Sequence, residues 1–378
     1  MPELLPFASR RSVVTKWAGV QGPLLGYFFW PRRKSDSPAG AKPGAVHRKG
    51  KPHLPVTGQC KPMHLLIPHA SALSEASAHT LRDLSLPNLG RLMTVLKAGA
   101  PDIDDEYTLS PPHERALAHA HGWQGGDGRW PWAALQAAAD GIDMGSRPCG
   151  LLTPVHWHVG REHITLADPA ALDLSADESR ALFDAVKPLF DDDQGTLTWG
   201  APLRWYLTHE HLAHLPCASI DRVIGRNVDL WLRGDPQASA DQLAHTRWVR
   251  RLQNEVQMLL HQHPVNEARE ARGALPVNSF WLSGCGRAQP ATAVVTVDDR
   301  LRAPLLAEDW AGWADAWSSL DAEVLQPLVL RVDRGEPLSI TLCGERGWQR
   351  HDAAPRSLWQ RLGDRFKRVE PHVVLSAL

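Results

Sequence analysis

From Met63 onward, short apolar runs of strand length alternate with longer runs of helical period. That alternation confines the chain to a layered α/β fold, because each element must bury its apolar face against a neighbour of the other kind. His64–Pro68 predicts a first strand. Leu86, Leu89, Leu92, Met93 and Leu96 then recur at helical spacing, with Gly99 as a stop, and a further helix is expected through Ala116–His121. Strands are expected at 151–159, 163–166, 279–282, 293–297, 328–332 and 338–342. Helices are expected at 175–190 and 240–262, where Ser175/Glu178 and Ser239/Gln242 have the spacing of capping boxes. Leu252, Val256 and Leu259 share one face of the second, and Pro264 ends it. The predicted sheet is mostly parallel.

With 378 residues, 43% of them hydrophobic, the chain can fill one large domain or two modest ones. A formal net charge of −1 gives no electrostatic case for nucleic-acid binding. The charge is uneven, however. Residues 1–62 hold eleven Lys and Arg against Glu3 and Asp36, leaving thirty basic and forty acidic residues for the rest. This Pro- and Gly-rich basic arm has little to bury and is expected to be disordered, or a translated leader before a domain that starts at Met63. Ser9-Arg10-Arg11 mimics a twin-arginine signal, but its apolar run is broken by Gly and Gln and no cleavage site follows. Five cysteines without a CxxC pair read as reduced thiols in the cytoplasm. No apolar run reaches the roughly 18–20 residues a membrane span needs. The sixteen tryptophans are expected half-buried at element edges, where each N–H can find a partner.

Nineteen histidines are the most conspicuous feature of the composition. His156 and His158 fall on one face of a predicted strand and are candidate metal ligands, as neutral imidazoles suit Zn or Mn. His209, His211 and His214 form a second group without the HExxH spacing. Ser110 stands close to His113, a nucleophile with a base nearby in sequence. The acidic runs at Asp102–Glu106 and Asp191–Asp193 read as solvated loops, and Gly122–Gly128 lacks the Lys and Ser/Thr of a P-loop. The stretch HQHPVNEAREARGALPVNSFWLSGCG at 261–286 passes from a helix through a His-Pro-Val-Asn turn into a strand closed by Gly284 and Gly286. Two readings stay open for it: a phosphate or sugar-phosphate site, or an ordinary helix-to-strand loop.

That stretch strongly resembles the corresponding segment of archaeal-type cofactor-independent phosphoglycerate mutases. HLLIPHASAL with LPNLGRL is similar to that family's first strand and following helix, and 149–190 to its inserted domain. The resemblance implies an alkaline-phosphatase-like layered sheet with an inserted smaller α/β lobe. It assigns 63–145 and 240–378 to the core and 146–239 to the lobe. It also implies two divalent metals and a transiently phosphorylated serine, for which Ser110 is the candidate, and it places Asn266, Asn278, Gly284 and Gly286 on the ligand side. The expected metal ligands are altered. His69-Ala70 stands where the family has Asp-Gly, Cys343-Gly344 replaces an Asp-His pair, and only His351 is left of the last signature. Two close cations need anionic oxygen to offset their repulsion, which neutral histidines do not supply. The chain is also similar to a proteobacterial group named as regulatory proteins of the pathogenicity-factor cluster, E type, degenerate relatives of these mutases.

The resulting expectation is a cytoplasmic regulatory or ligand-binding protein without the two-metal site or another cofactor. Its partner would be a regulatory protein or a small phosphorylated ligand, with no nucleic acid and no membrane. The competing expectation is an active mutase or phosphohydrolase that rebuilds an Mn or Zn site from His69, His156, His158 or His351.

Overall fold

The computed structural model describes residues 62–191, 194–232, 239–354, 367 and 369–378. The basic arm at 1–61 lies outside them, as do Asp192 and Asp193 of the second acidic run.

Strand β1 (Met63–Ile67) shows how the layers form. Its side chains alternate, sending Leu65 and Ile67 into one apolar cluster and Leu66 into another on the opposite face. The first cluster takes Leu89 and Leu92 of helix Pro87–Val95 and Trp313, Trp317 and Leu320 of helix Trp310–Leu320. The second takes Ala116–Ala118 of helix Pro112–His121 together with Trp123, Trp132 and Trp348. Helices therefore cover both faces, and the chain is an α/β protein.

The remaining strands are β2 (Lys97–Ala98), β3 (Asp102–Ile103), β4 (Cys149–Val155), β5 (Trp157–Val159), β6 (Ile164–Leu166), β7 (Gly195–Ala201), β8 (Arg204–His209), β9 (Ser279–Gly286), β10 (Thr296–Val297), β11 (Leu338–Cys343) and β12 (Gly347–Asp352). Among the described residues the first sheet runs β10-β1-β11-β12-β2, with β3 also on β12. It is mixed, not mostly parallel. β1 is parallel to β10 and β11, but the short connection at 344–346 forces β12 to return antiparallel, since a parallel return needs a crossover of a dozen residues. A second sheet, β7-β8-β4-β9, is antiparallel throughout. It draws β9 from beyond residue 239, and helix Ala240–His261 packs Leu252, Val256 and Leu260 into the same cluster as Leu152, Trp205 and Phe280. Helix Trp132–Ala139 lies between the sheets, with Trp132 against the first and Ala133, Ala134 and Ala137 against the second.

Local sequence signals account for much of this. Both predicted capping boxes form, at Ser175/Glu178 and Ser239/Gln242. Three expectations are corrected. Residues 328–332 are helical, within Gln326–Asp333, which continues helix Trp310–Leu320 through a π-helical turn at Asp321–Leu325, and Leu328 and Val332, four apart, both reach the core. The His-Pro-Val-Asn segment is the start of helix Pro264–Ala271, with His263 as its N-cap. Several tryptophans are fully enclosed. Trp205 and Trp313 find internal acceptors, Ser179 Oγ at 3.1 Å and the His69 carbonyl at 3.2 Å, so burial strands no N–H there.

Candidate functional site

A cavity of about 60 Å³ opens at the C-terminal end of β1, where Pro68 and His69 leave the sheet. The carboxyl end of a strand is where α/β folds place ligands, because the chain turns outward there and leaves a crevice. His69 adopts φ 56°, a left-handed conformation that a non-glycine residue holds only at a cost of about 1–3 kcal/mol. The Trp313 indole N–H to its carbonyl and the Ala70 N–H to the Cys343 carbonyl (2.8 Å) fix that turn. His113 enters from the first turn of helix Pro112–His121, which two prolines start. Asp221 enters from the short helix Ile220–Val223, held in place by the Ser219 N–H to the Leu109 carbonyl (2.8 Å).

These three side chains converge. One donor atom from each of His69, His113 and Asp221 lies within 4.8 Å of the others. Asp221 Oδ2 stands 3.6 Å from His69 Nε2 and 3.5 Å from His113 Nε2, and the rings meet edge-on with centroids 5.0 Å apart. Asp221 Oδ1 faces the other way and accepts from Arg302 Nη2 at 2.6 Å and Nε at 3.0 Å. Beside His113, the Glu114 carboxyl accepts from Ser219 Oγ at 2.6 Å.

The electrostatics follow from burial. Burial lowers His69 to about 3, helped by His113 and opposed by Asp221, so its ring is neutral at physiological pH. Burial likewise takes His113 down to about 4. Burial would raise Asp221, but the charge and hydrogen bonds of Arg302, with His113 and His69, hold it well below the carboxylate range. Burial pushes Glu114 up to about 8 against the Ser219 hydrogen bond, so this carboxyl carries a proton near neutrality.

The trio fits one transition-metal ion. Two ligands about 2.1 Å from a tetrahedral centre are about 3.4 Å apart, close to the separations seen, whereas direct N–H···O bonds would be shorter. Two neutral imidazoles and one carboxylate form a three-ligand set of the kind that leaves a fourth position open. A pair of ions is a different matter. Asp221 is the carboxylate that joins both imidazoles and is already shared with Arg302; Glu114 is protonated, and Asp299 lines the cavity outside the trio.

Of the residues singled out from sequence, His69, His113 and Gly284 line this cavity. Ser110 does not; its hydroxyl is buried and accepts from the Gly128 N–H at 2.8 Å. His156 and His158 meet edge-on at 4.5 Å, with His156 Nδ1 on the Pro276 carbonyl, but neither lines the cavity. His351 is buried in β12, and neither ring nitrogen has a partner among the described residues. Asn266 donates to the carbonyls of Leu260 and Val277 and accepts from the Val277 N–H. Asn278 pairs in both directions with the backbone of Trp157. Both asparagines are occupied in pinning backbone. Gly284 (φ 64°) and Gly286 (φ 151°) let the end of β9 pass close to the start of helix Trp132–Ala139, where a Cβ on Gly284 would sit 2.8 Å from the Ala133 nitrogen. Both glycines thus serve packing, and Gly284 lines the cavity as well. Sequence reading missed Asp221, Arg302, Glu114 and Ser219, which belong to no recognisable motif.

No family model matches the chain, and no curated protein matches it. Among solved structures, the chain is similar to the cofactor-independent phosphoglycerate mutase from Thermoplasma acidophilum DSM 1728, at 14% identity over 77% of this chain and 89% of that one, with a TM-score of 0.31. It is also similar to the PH0037 protein from Pyrococcus horikoshii, at 12% identity over 78% and 88% of the two chains, with a TM-score of 0.40. Among the described residues, no helix is long and apolar enough to cross a membrane.

Proposed function

We propose that this chain is a phosphoglycerate-mutase-like binding protein of the cytoplasm, with a regulatory role, and that it holds a single divalent cation at His69, His113 and Asp221. On this reading the alkaline-phosphatase-like frame is kept while two-metal phosphoryl transfer is not. The observation that carries it is the state of Asp221, one of whose oxygens is engaged by Arg302 at 2.6 Å while the other faces two neutral imidazoles. That donor set, with one carboxylate among three ligands, suits one cation better than two ions roughly 3.5–4 Å apart, which call for more anionic oxygen.

A zinc or manganese ion held there would supply a Lewis-acidic anchor for an oxygen ligand, such as a small phosphorylated molecule. His69 and His113 bind without releasing a proton, being neutral already. Arg302 orients the carboxylate through its far oxygen, as outer partners of metal ligands do. Ser110, the serine that the resemblance would phosphorylate, lies outside the cavity with its hydroxyl accepting from the Gly128 N–H.

Elemental mass spectrometry of the full chain, dialysed against Zn²⁺ or Mn²⁺ and then against metal-free buffer, tests this. About one equivalent retained, and lost in Asp221→Asn, is the expected result. Two equivalents with turnover of 3-phosphoglycerate overturn it.

One observation favours a second reading, a hydrolase with a rebuilt site. Glu114 carries a proton near neutrality in the same cavity, 2.6 Å from Ser219 Oγ, and could serve as a general acid beside the cation. Hydrolysis of p-nitrophenyl phosphate by the zinc-loaded chain, abolished in Glu114→Gln, would select this reading over the first.

A further inference from the structure

Two thiols far apart in sequence meet behind the cavity. Cys217 Sγ lies 3.4 Å from Cys285 Sγ, although the two residues are 68 positions apart in the chain. Both backbones are fixed. The Cys217 N–H donates to the Gly128 carbonyl at 2.9 Å, and Cys285 sits in β9 between two positive-φ glycines. Gly150 of β4 leaves the room that the Cys285 sulfur occupies, since a Cβ there would stand 2.8 Å from it. A disulfide bond is about 2.05 Å long, so closing it brings the sulfurs about 1.3 Å nearer, the scale of a modest side-chain rotation.

We propose that Cys217 and Cys285 are an oxidation site that closes to a reversible disulfide when a peroxide reaches Cys217. The two thiols have different access, which sets the order of events. Cys217 is half-buried and lines a second cavity of about 450 Å³ beside Leu215, Ala218 and Trp281, wide enough to admit a peroxide. Cys285 is 1% exposed, and its burial raises its thiol well above the usual range. Cys217 therefore reacts first and Cys285 resolves.

In the first step the Cys217 sulfur attacks one peroxide oxygen and the O–O bond breaks. This gives a sulfenic acid, and the other oxygen leaves as water when the oxidant is hydrogen peroxide. In the second step the Cys285 sulfur attacks the Cys217 sulfur, the S–O bond breaks, and the hydroxyl leaves as water with the Cys285 proton. The dithiol loses two electrons, and one peroxide becomes two waters. A dithiol reductant restores both thiols by exchange.

The linkage would join two walls of the candidate cation site, because Cys217 runs directly into Ser219 and Asp221 while Cys285 follows Ser283 and Gly284. The oxidation site itself stands whether or not a cation binds there.

The test is peptide mapping of the full chain, reduced anaerobically, treated with stoichiometric hydrogen peroxide, and alkylated before digestion. The expected product is a crosslinked pair of peptides containing Cys217 and Cys285, short of two hydrogens and released by dithiothreitol. Cys149→Ser should retain that crosslink and Cys285→Ser should lose it, accumulating a trappable sulfenic acid at Cys217. A crosslink through Cys149, Cys60 or Cys343 instead, or Cys217 driven to sulfinic acid while Cys285 stays alkylatable, would overturn the proposal. Mapping of the unsubstituted chain decides between these outcomes even where a variant fails to fold.

Discussion

Arg302 and Asp221 share a buried ion pair in which both guanidinium bonds, at 2.6 and 3.0 Å, go to the same carboxylate oxygen. The other oxygen is thereby left to His69 and His113. Replacing the carboxylate by an amide removes the charge while nearly keeping the shape. Asp221→Asn removes the charge that both guanidinium bonds reach, with Asp168 still 3.5 Å from Arg302, so stability should fall by about 3–5 kcal/mol. Urea unfolding at neutral pH measures this. A change below about 1 kcal/mol would mean that Asp221 contributes as little as a surface charge. The pair's contribution is complete above the ordinary carboxylate range. It fades as pH falls through that range towards the depressed folded-state value, because there the unfolded chain takes up a proton that the folded chain does not.

His351 predicts the opposite kind of gain. Burial lowers it to about 4 from an ordinary value of 6.5, and neither ring nitrogen has a partner among the described residues. Below about 6.5 the unfolded chain binds a proton that the folded chain refuses, so stability falls as pH drops from about 6.5 to about 4. His351→Leu should remove that slope. It should also raise stability at pH 5 by about 1–3 kcal/mol, since it deletes unsatisfied buried polar atoms from a strand that faces Ile340. Thermal melts of both proteins from pH 4.5 to 7.5 provide the comparison. Parallel curves would show that His351 is hydrated or paired in solution.

Gly284 is required twice over, by its φ of 64° and by the approach of helix Trp132–Ala139. In Gly284→Ala the methyl would press on the Ala133 nitrogen at 2.8 Å and Trp132 Cβ at 3.0 Å, backbone and core atoms with little room to yield. A loss of about 2–4 kcal/mol is expected from overpacking and left-handed strain together. Chemical denaturation gives the value, and a loss under about 0.5 kcal/mol would show that β9 and the helix can part.

Arg269 is completely buried and gathers the polar ends of three segments. It donates to Glu178 at 2.9 Å, to the Leu275 carbonyl at 2.8 Å and to the Leu172 carbonyl. Arg269→Met keeps the stem and abandons these acceptors, at an expected cost of about 3–5 kcal/mol. Burial would raise Glu178, but hydrogen bonds from Arg272 and Ser175, with the charge of Arg269, hold it at about 2. Carboxyl NMR titration should find it moved upward in the variant, and an unmoved Glu178 would assign its shift to Arg272 and the Ser175 cap alone.

What the sequence determined by itself is local. Alternation along β1, the helical spacing of Leu89 and Leu92, and two capping boxes each depend on residues within a few positions of one another, and all appear as expected. The same local signals misled at 328–332, where a β-branched run favours a strand until Leu328 and Val332 find the core as a helix. Sheet direction, too, was decided beyond the local pattern, by the tight return from β11 to β12. The site is the extreme case. His69 was legible because it stands where the resembled family has Asp-Gly, and His113 as a base near Ser110, but nothing marks Asp221 or Arg302 in the residues around them. Their role arises only when β1, helix Pro112–His121, helix Ile220–Val223 and helix Arg302–Leu306 meet at one strand end. Burial, which sets the protonation of Glu114 and both imidazoles, is a property of that meeting, and no single segment carries it.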